Sequence, residues 1–286
     1  MTNAHEAGKP YYYVPHPSHW PITGSCALFL LALGATCWVN GISFWPWLIG
    51  AGFLVLLVML FGWFGTVIGE SEGHLYNLRV DTSFRWAMGW FIFSEVMFFA
   101  AFFGALFYVR NVSVPDLGSL TSKLVWPEFN ASWPTIGPYL RETFTPMGAM
   151  GIPLLNTLIL LTSGFTLTLA HYGLKENNRG PLKLWLFATI VLGFTFLTLQ
   201  AYEYTHAYSE LNLKLSSGVY GSTFFMLTGF HGAHVTIGAI MLTVMLVRSF
   251  RGHFTPDHHF GFEAATWYWH FVDVVWLLLF VLIYWL

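Results

Sequence analysis

The sequence predicts an all-α, polytopic membrane protein with seven transmembrane helices. Seven apolar stretches, each long enough to cross a bilayer, fill most of the 286 residues. The chain is 56% hydrophobic and 19% aromatic but only 9% charged, against about 25% charged residues in an ordinary soluble domain. A hydrocarbon core about 30 Å thick needs roughly 20 helical residues per crossing, and each crossing must satisfy its own backbone hydrogen bonds because lipid offers none.

The spans fall near 21–39, 45–68, 84–109, 147–171, 181–203, 219–249 and 262–286. The third and sixth exceed the minimum length, which implies tilt or extension beyond the lipid. Trp20, Trp45, Trp63, Trp185 and Trp285 lie near span ends, where indoles favour the interface. The link 40–44 is so short that the first two spans must form an antiparallel hairpin. The longest link, 110–146, contains Pro127, Pro134 and Pro138, a spacing that excludes a long regular helix. It reads as an external loop on the membrane surface.

Lys and Arg are retained on the cytoplasmic side more often than they are translocated. An inside N-terminus places Lys9, Arg79, Arg85, Lys175, Arg179, Lys183, Arg248 and Arg251 inside, eight of the twelve basic residues. Arg110, Lys123, Arg141 and Lys214 then fall outside. The expected topology is N-terminus in, C-terminus out. Residues 1–19 carry Pro10, Pro15 and Pro17 with no apolar stretch leading to a small-residue cleavage site, so a cleaved signal peptide is not expected. Cys26 and Cys37 sit eleven residues apart on one helix, about 16 Å along its axis, and cannot bond to each other. A net charge of −2 points to neither nucleic acid nor a polybasic lipid anchor.

The ionisable groups inside the spans are the candidate functional residues. Glu95 lies near the centre of the third span. A charge there costs roughly 2.5–3.5 kcal/mol on insertion scales, so such a group is paired, protonated or turned toward a polar interior. Glu95 reads either as a carboxyl-reactive, proton-handling site or as an acid hydrogen-bonded between packed helices. His231 and His234 share a face of the sixth span. Imidazoles there, with His258 and His259 in the following loop, could ligate a metal or haem. Alternatively, Gly229, Gly232 and Gly238 make a close helix seam across which the histidines hydrogen-bond. Glu263 and His270 share a face of the last span, and Asp273 lies one turn beyond His270. These three form a proton relay or a structural polar seam. Trp63, Glu70, His74 and Arg79 gather at the inner ends of the second and third spans, with Arg248 ending the sixth on the same side. Arginine beside tryptophan at headgroup depth can grip a lipid phosphate or simply snorkel.

At these motifs the chain resembles subunit III of cytochrome c oxidase, the haem-copper respiratory oxidase. The resemblance is carried by His16-Pro17-Ser18-His19-Trp20-Pro21, Ser94-Glu95, Pro153-Leu154-Leu155-Asn156-Thr157 and Tyr220-Gly221-Ser222-Thr223-Phe224-Phe225. It also rests on the paired histidines of the sixth span, the run 258–263 and Trp267-Tyr268-Trp269-His270-Phe271-Val272-Asp273. It implies a cytoplasmic segment 1–19, a two-helix arm over 20–68 and a five-helix bundle over 84–286 with a lipid-filled cleft. Both N-terminal helices are present, which favours the branch of the family that oxidises cytochrome c.

By the same resemblance, Glu95 matches a glutamate that reacts with carbodiimide, and Trp63, Glu70, His74 and Arg248 fall at or near lipid contacts. By their own spacing, His231, His234, Glu263, His270 and Asp273 are expected to form a structural polar seam. The chain is expected to hold no catalytic centre and no metal, with haem and copper in subunits I and II. Its expected partners are subunit I by direct contact, subunit II in the same complex, phospholipids, and cytochrome c as donor to the complex. Possible contributions to oxygen access and proton uptake come from the family alone. An external loop longer than that of mitochondrial members indicates a bacterial plasma membrane. The competing reading is a stand-alone proton-coupled transporter running through Glu95, Glu263 and Asp273, but no inverted repeat is visible. A haem-binding electron carrier would need ligands among His231, His234 and His270.

Overall fold

A computed structural model describes residues 13–138 and 143–285; Lys9, Pro10, Arg141 and Leu286, used in the sequence reading, lie outside the described residues. The fold is all-helical. Seven helices are long and apolar enough to cross a membrane. The chain divides into two compact units, Met1–Phe84 and Arg85–Leu286.

In the first unit, α1 (Trp20–Val39) and α2 (Trp45–Glu72) form the expected hairpin. Pro21 and Pro46 stand in their first turns, where a missing N–H leaves no bond unmade. The two backbones approach closely at glycines: a Cβ on Gly52 would lie 2.9 Å from the Leu31 nitrogen, and one on Gly34 would lie 2.9 Å from the Ile49 nitrogen. Trp20 donates from its indole to the Thr66 hydroxyl at 3.3 Å, joining the start of α1 to the far end of α2. Few residues of α2 are buried, and Trp47, Phe53, Phe61 and Phe64 are all exposed. An apolar face of this kind is suited to lipid, where it meets no desolvation penalty.

The third helix, α3 (Leu78–Tyr108), begins earlier than the sequence reading placed it. It also does not stop at 109. A π-helical turn (Val109–Ser113) carries it into α4 (Val114–Leu117), so one apolar rod runs from Leu78 to Leu117. Pro115 permits this continuation because it sits in the first turn of α4. Beyond it, the described residues up to the next helix are irregular, apart from a 3₁₀ turn at Ser122–Leu124. Its end is tied to the following helix connection: Thr145 donates to the Leu211 carbonyl at 3.0 Å, and Asn212 to the Thr143 carbonyl at 3.1 Å.

The rest of the bundle comprises α5 (Ile152–Lys175), α6 (Arg179–Ser209), α7 (Gly218–Phe250) and α8 (Phe260–Leu279), which ends in a π-helical stretch, Phe280–Trp285. Packing runs α5 on α6, α6 on α7, α7 on α8, and α8 back on α5. The last helix is the most enclosed, with 61% of its span buried. Trp269 and Trp276 are its largest fully buried side chains. Trp269 fills a slot between two glycines, since a Cβ on Gly193 of α6 would lie 2.7 Å from the indole and one on Gly238 of α7 2.8 Å. Its Nε1 donates to Ser163 of α5 at 2.9 Å, and Trp276 Nε1 donates to Thr157 of the same helix at 2.9 Å. Lipid tails are as apolar as leucine, so it is this close packing and cross-helix bonding that holds helices together within a membrane.

Many hydroxyls inside the spans turn back on their own helix. Thr36, Thr162, Thr195 and Thr243 donate to the carbonyl four residues earlier, at 2.7–2.9 Å. This bond satisfies the hydroxyl without a partner helix.

The Trp269 slot gives the first test. Gly193→Ala and Gly238→Ala each force a carbon into the indole, and each is expected to destabilise the bundle by about 1–3 kcal/mol. The readout is an earlier thermal transition of the detergent-purified protein. An unchanged transition in both variants would show that the slot is not tightly filled.

Candidate functional site

The intramembrane polar groups lie along α8 and the faces turned toward it. Near the start of that helix, Glu263 accepts from Arg85 of α3: Nη2 lies 2.8 Å and Nε 3.2 Å from the same carboxylate oxygen. The guanidinium also lies 5.8 Å from the Phe260 ring centre. Helical spacing places Glu263 and His270 on one face, yet the partner of Glu263 is this arginine, 178 positions away, and no local pattern announces it.

Two turns further along α8, His270 Nδ1 lies 3.3 Å from Asp273 Oδ2, while Nε2 lies 3.4 Å from the Thr168 hydroxyl of α5. Asp273 reaches the α5 surface at Gly164, where a Cβ would collide with its carboxylate. The bare glycine is what admits the acid.

His231 and His234 share one helix but not one partner. His231 is buried and donates through Nε2 to the Val272 carbonyl of α8 at 3.2 Å, with its ring 5.1 Å from Trp276 and 5.7 Å from Phe196. His234 donates through Nδ1 to the Phe230 carbonyl at 2.6 Å and turns Nε2 to Glu95 Oε2 at 3.0 Å. With Nδ1 already donating, a single proton lies between Nε2 and the Glu95 oxygen, carried by either group. Phe98, Phe99, Tyr268 and Phe271 surround this imidazole. Glu95 is thus hydrogen-bonded between packed helices, α3 and α7. The two histidines do not converge, and no group of three or more His, Cys, Asp or Glu among the described residues could hold a metal ion.

Trp63, Glu70 and His74 belong to the first unit and Arg248 to the second. In the first unit, Trp63 is 47% exposed and stacks on Phe64 at 5.8 Å. Glu70 accepts from the Tyr76 hydroxyl at 2.7 Å, and Tyr76 packs against Tyr13 at 5.7 Å and Phe84 at 5.0 Å. Burial first, and then the Glu70 hydrogen bond, push the Tyr76 phenol well above its ordinary range. His74 follows the cap of α2 with φ 52°, a left-handed turn that closes the link to α3. In the second unit, Arg248 lies 4.6 Å from the Phe254 ring centre, and its guanidinium is so close to Gly261 that a Cβ there would lie 3.2 Å from Nη1.

Sequence reasoning missed several buried groups. The expected span ends at Glu203, but α6 runs on to Ser209, and Glu203 is fully buried with Tyr284 donating to Oε1 at 2.6 Å. Thr166 meets Thr189 at 2.8 Å, and Tyr204 meets Thr228 at 2.7 Å. The amides of Asn156 and Gln200, Glu203 Oε2, His231 Nδ1 and Asp273 Oδ1 are buried without a hydrogen-bond partner among the described residues. Leaving such an atom dry costs about 1–3 kcal/mol.

The fold and this seam define a polytopic membrane protein whose intramembrane acids and imidazoles are hydrogen-bonded within the helix bundle. The model of the family described as cytochrome c oxidase subunit III matches residues 9–286. Cytochrome c oxidase subunit 3 of Latimeria chalumnae is 45% identical, over 99% of this chain and 98% of its own length. The subunit 3 proteins of Rattus norvegicus and Oryctolagus cuniculus are 44% and 43% identical over 96% of each chain. The chain belongs to the cytochrome c oxidase subunit III family. It is a multi-pass membrane component of the respiratory oxidase complex and works beside other oxidase subunits.

Glu263→Gln removes half of the α3–α8 ion pair. The pair is only partly exposed, so the loss is expected to cost about 1–2 kcal/mol. The checks are heat-induced loss of the chain from the purified oxidase and the same loss in Arg85→Ala. Direct pairing predicts a double variant that loses less than the sum of the two; losses that add, or more than add, would contradict it.

Proposed function

We propose that this chain is a non-redox structural and lipid-binding subunit, with no catalytic centre of its own, and that it stabilises subunit I by direct contact in a complex that also contains subunit II. Haem and copper reside in those partners, and cytochrome c donates electrons to the complex. The observation that carries this reading is the mutual engagement of the deep ionisable groups: Glu95 with His234, Glu263 with Arg85, and Asp273 with His270. The first two pairs join α3 to α7 and to α8, and the third, within α8, rests against Thr168 and Gly164 of α5. A transporter would need a continuous ionisable path, and here the three acids are divided among three separate pairs.

The proposed membrane is a bacterial plasma membrane, with N-terminus cytoplasmic and C-terminus periplasmic. Support comes from the basic residues at one end of the bundle, where Lys175 and Arg179 flank the α5–α6 turn and Arg248 and Arg251 close α7. Phospholipid headgroups are proposed to bind at Trp63, Glu70 and His74 of the first unit and at Arg248 of the second. An arginine held over an aromatic ring is preorganised for phosphate. Glu95 is the proposed carboxyl-reactive residue: the proton it shares with His234 passes to a carbodiimide nitrogen as the carboxylate oxygen adds to the carbodiimide carbon. Contributions to oxygen access and to proton uptake by subunit I extend this proposal.

Two measurements test it. Carbodiimide labelling of the intact oxidase should vanish in Glu95→Gln and change several-fold in rate in His234→Leu; labelling that persists in Glu95→Gln contradicts the assignment. Arg248→Ala should lower the phospholipid retained per complex, read by mass spectrometry, with haem and copper content unchanged. A fall in haem or copper would move this chain into the redox machinery.

A further inference from the structure

Five polar side-chain atoms near the two ends of the α5–α6 pair opposite its turn have no partner among the described residues: both amide atoms of Asn156, both of Gln200, and Glu203 Oε2. Gln200 and Glu203 stand three apart on α6 and so share a face. Glu203 is 0% exposed, Gln200 5% and Tyr284 7%. The Tyr284 hydroxyl donates to Glu203 Oε1 at 2.6 Å, and the Gln200 amide lies beside the same hydroxyl. The other oxygen of the acid and the whole amide head are therefore left within a small region bounded by α6 and the C-terminal turn.

The missing partner cannot be another subunit or a lipid. These atoms lie inside the chain, and a neighbour docked on the surface does not reach them. More than nine in ten buried polar groups in folded proteins are hydrogen-bonded, to protein or to ordered water, so a carboxyl oxygen and an adjacent amide both lacking a protein partner mark a solvent site. An independent feature adjoins them. A surface cavity of about 320 Å³ is lined by Gly148, Ala149, Met150, Tyr284 and Trp285. A water occupies about 30 Å³ of liquid volume. Tyr284 is thus both a wall of a cavity with room for several waters and the donor to the buried acid.

We propose that Glu203, Gln200 and Tyr284 form an internal water-binding site, filled from the cavity beside Tyr284. The water accepts from the Gln200 amide or donates to its oxygen, and it meets Glu203 Oε2 as acceptor when that oxygen carries the acid's proton and as donor when it does not. This completes the hydrogen bonding of the acid without a charged partner. The site is distinct from the Glu95–His234 pair and independent of the proposed lipid contacts, so it stands or falls apart from them.

The test is a high-resolution electron-microscopy map of the intact oxidase, followed by the same map of Gln200→Met. The wild-type map should contain at least one water peak at about 2.7–3.2 Å from Glu203 Oε2 or the Gln200 amide. The variant should lose a peak while the Tyr284–Glu203 bond stays. Three results overturn the proposal: a dry site in which Gln200 has turned to bond Glu203 directly, a peak with the short coordination of a metal cation at about 2.0–2.6 Å, or water unaltered in Gln200→Met. Should the variant fail to assemble, the wild-type map alone decides.

Discussion

The constraint on which this fold depends is that a hydrocarbon interior supplies no hydrogen bonds, so every polar atom placed there must be satisfied from within the protein. In the second unit the requirement is met largely through α8. Its two buried indoles donate to hydroxyls of α5, its Glu263 receives an arginine of α3, and its Val272 carbonyl receives a histidine of α7. Together these bonds reach three different neighbours, α3, α5 and α7. A helix that alternates aromatic bulk with a few aimed polar atoms can therefore select its partners and its rotation among equally apolar alternatives.

Small residues make this geometry attainable. Gly193 and Gly238 leave room for Trp269, Gly164 for Asp273, and Gly173 for the α6 backbone at Leu182. Removing any of these notches would separate helices by more than a side-chain bond can span. Packing and polar bonding are therefore one device here, since the glycine sets the distance that the hydrogen bond then fixes in register.

Much of the architecture was legible in the sequence because membrane thickness sets helix length and composition exposes it. The seven spans, the hairpin of α1 and α2, and the shared face of His270 and Asp273 follow from spacing alone. The continuation through Val109–Ser113 to Leu117 was not legible, because a proline-rich stretch also permits a short helical run with its proline in the first turn. Partners distant in sequence were equally hidden. Spacing placed His231 and His234 on one face, but only the packed bundle shows one ring meeting the α8 backbone and the other meeting Glu95. Glu203 escaped notice because a short estimate of α6 left it at a span end instead of two turns inside.

The central claim is that buried cross-helix polar bonds hold α8 in the bundle, and the Ser163–Trp269 bond is its clearest instance. A double-mutant cycle of Ser163→Ala and Trp269→Phe, read as thermal retention of the chain in the purified oxidase, measures the coupling directly. The account predicts a favourable coupling of about 0.5–2 kcal/mol, in the range found for hydrogen bonds between membrane helices. Strictly additive losses would show that the indole acts by bulk alone and would contradict the account.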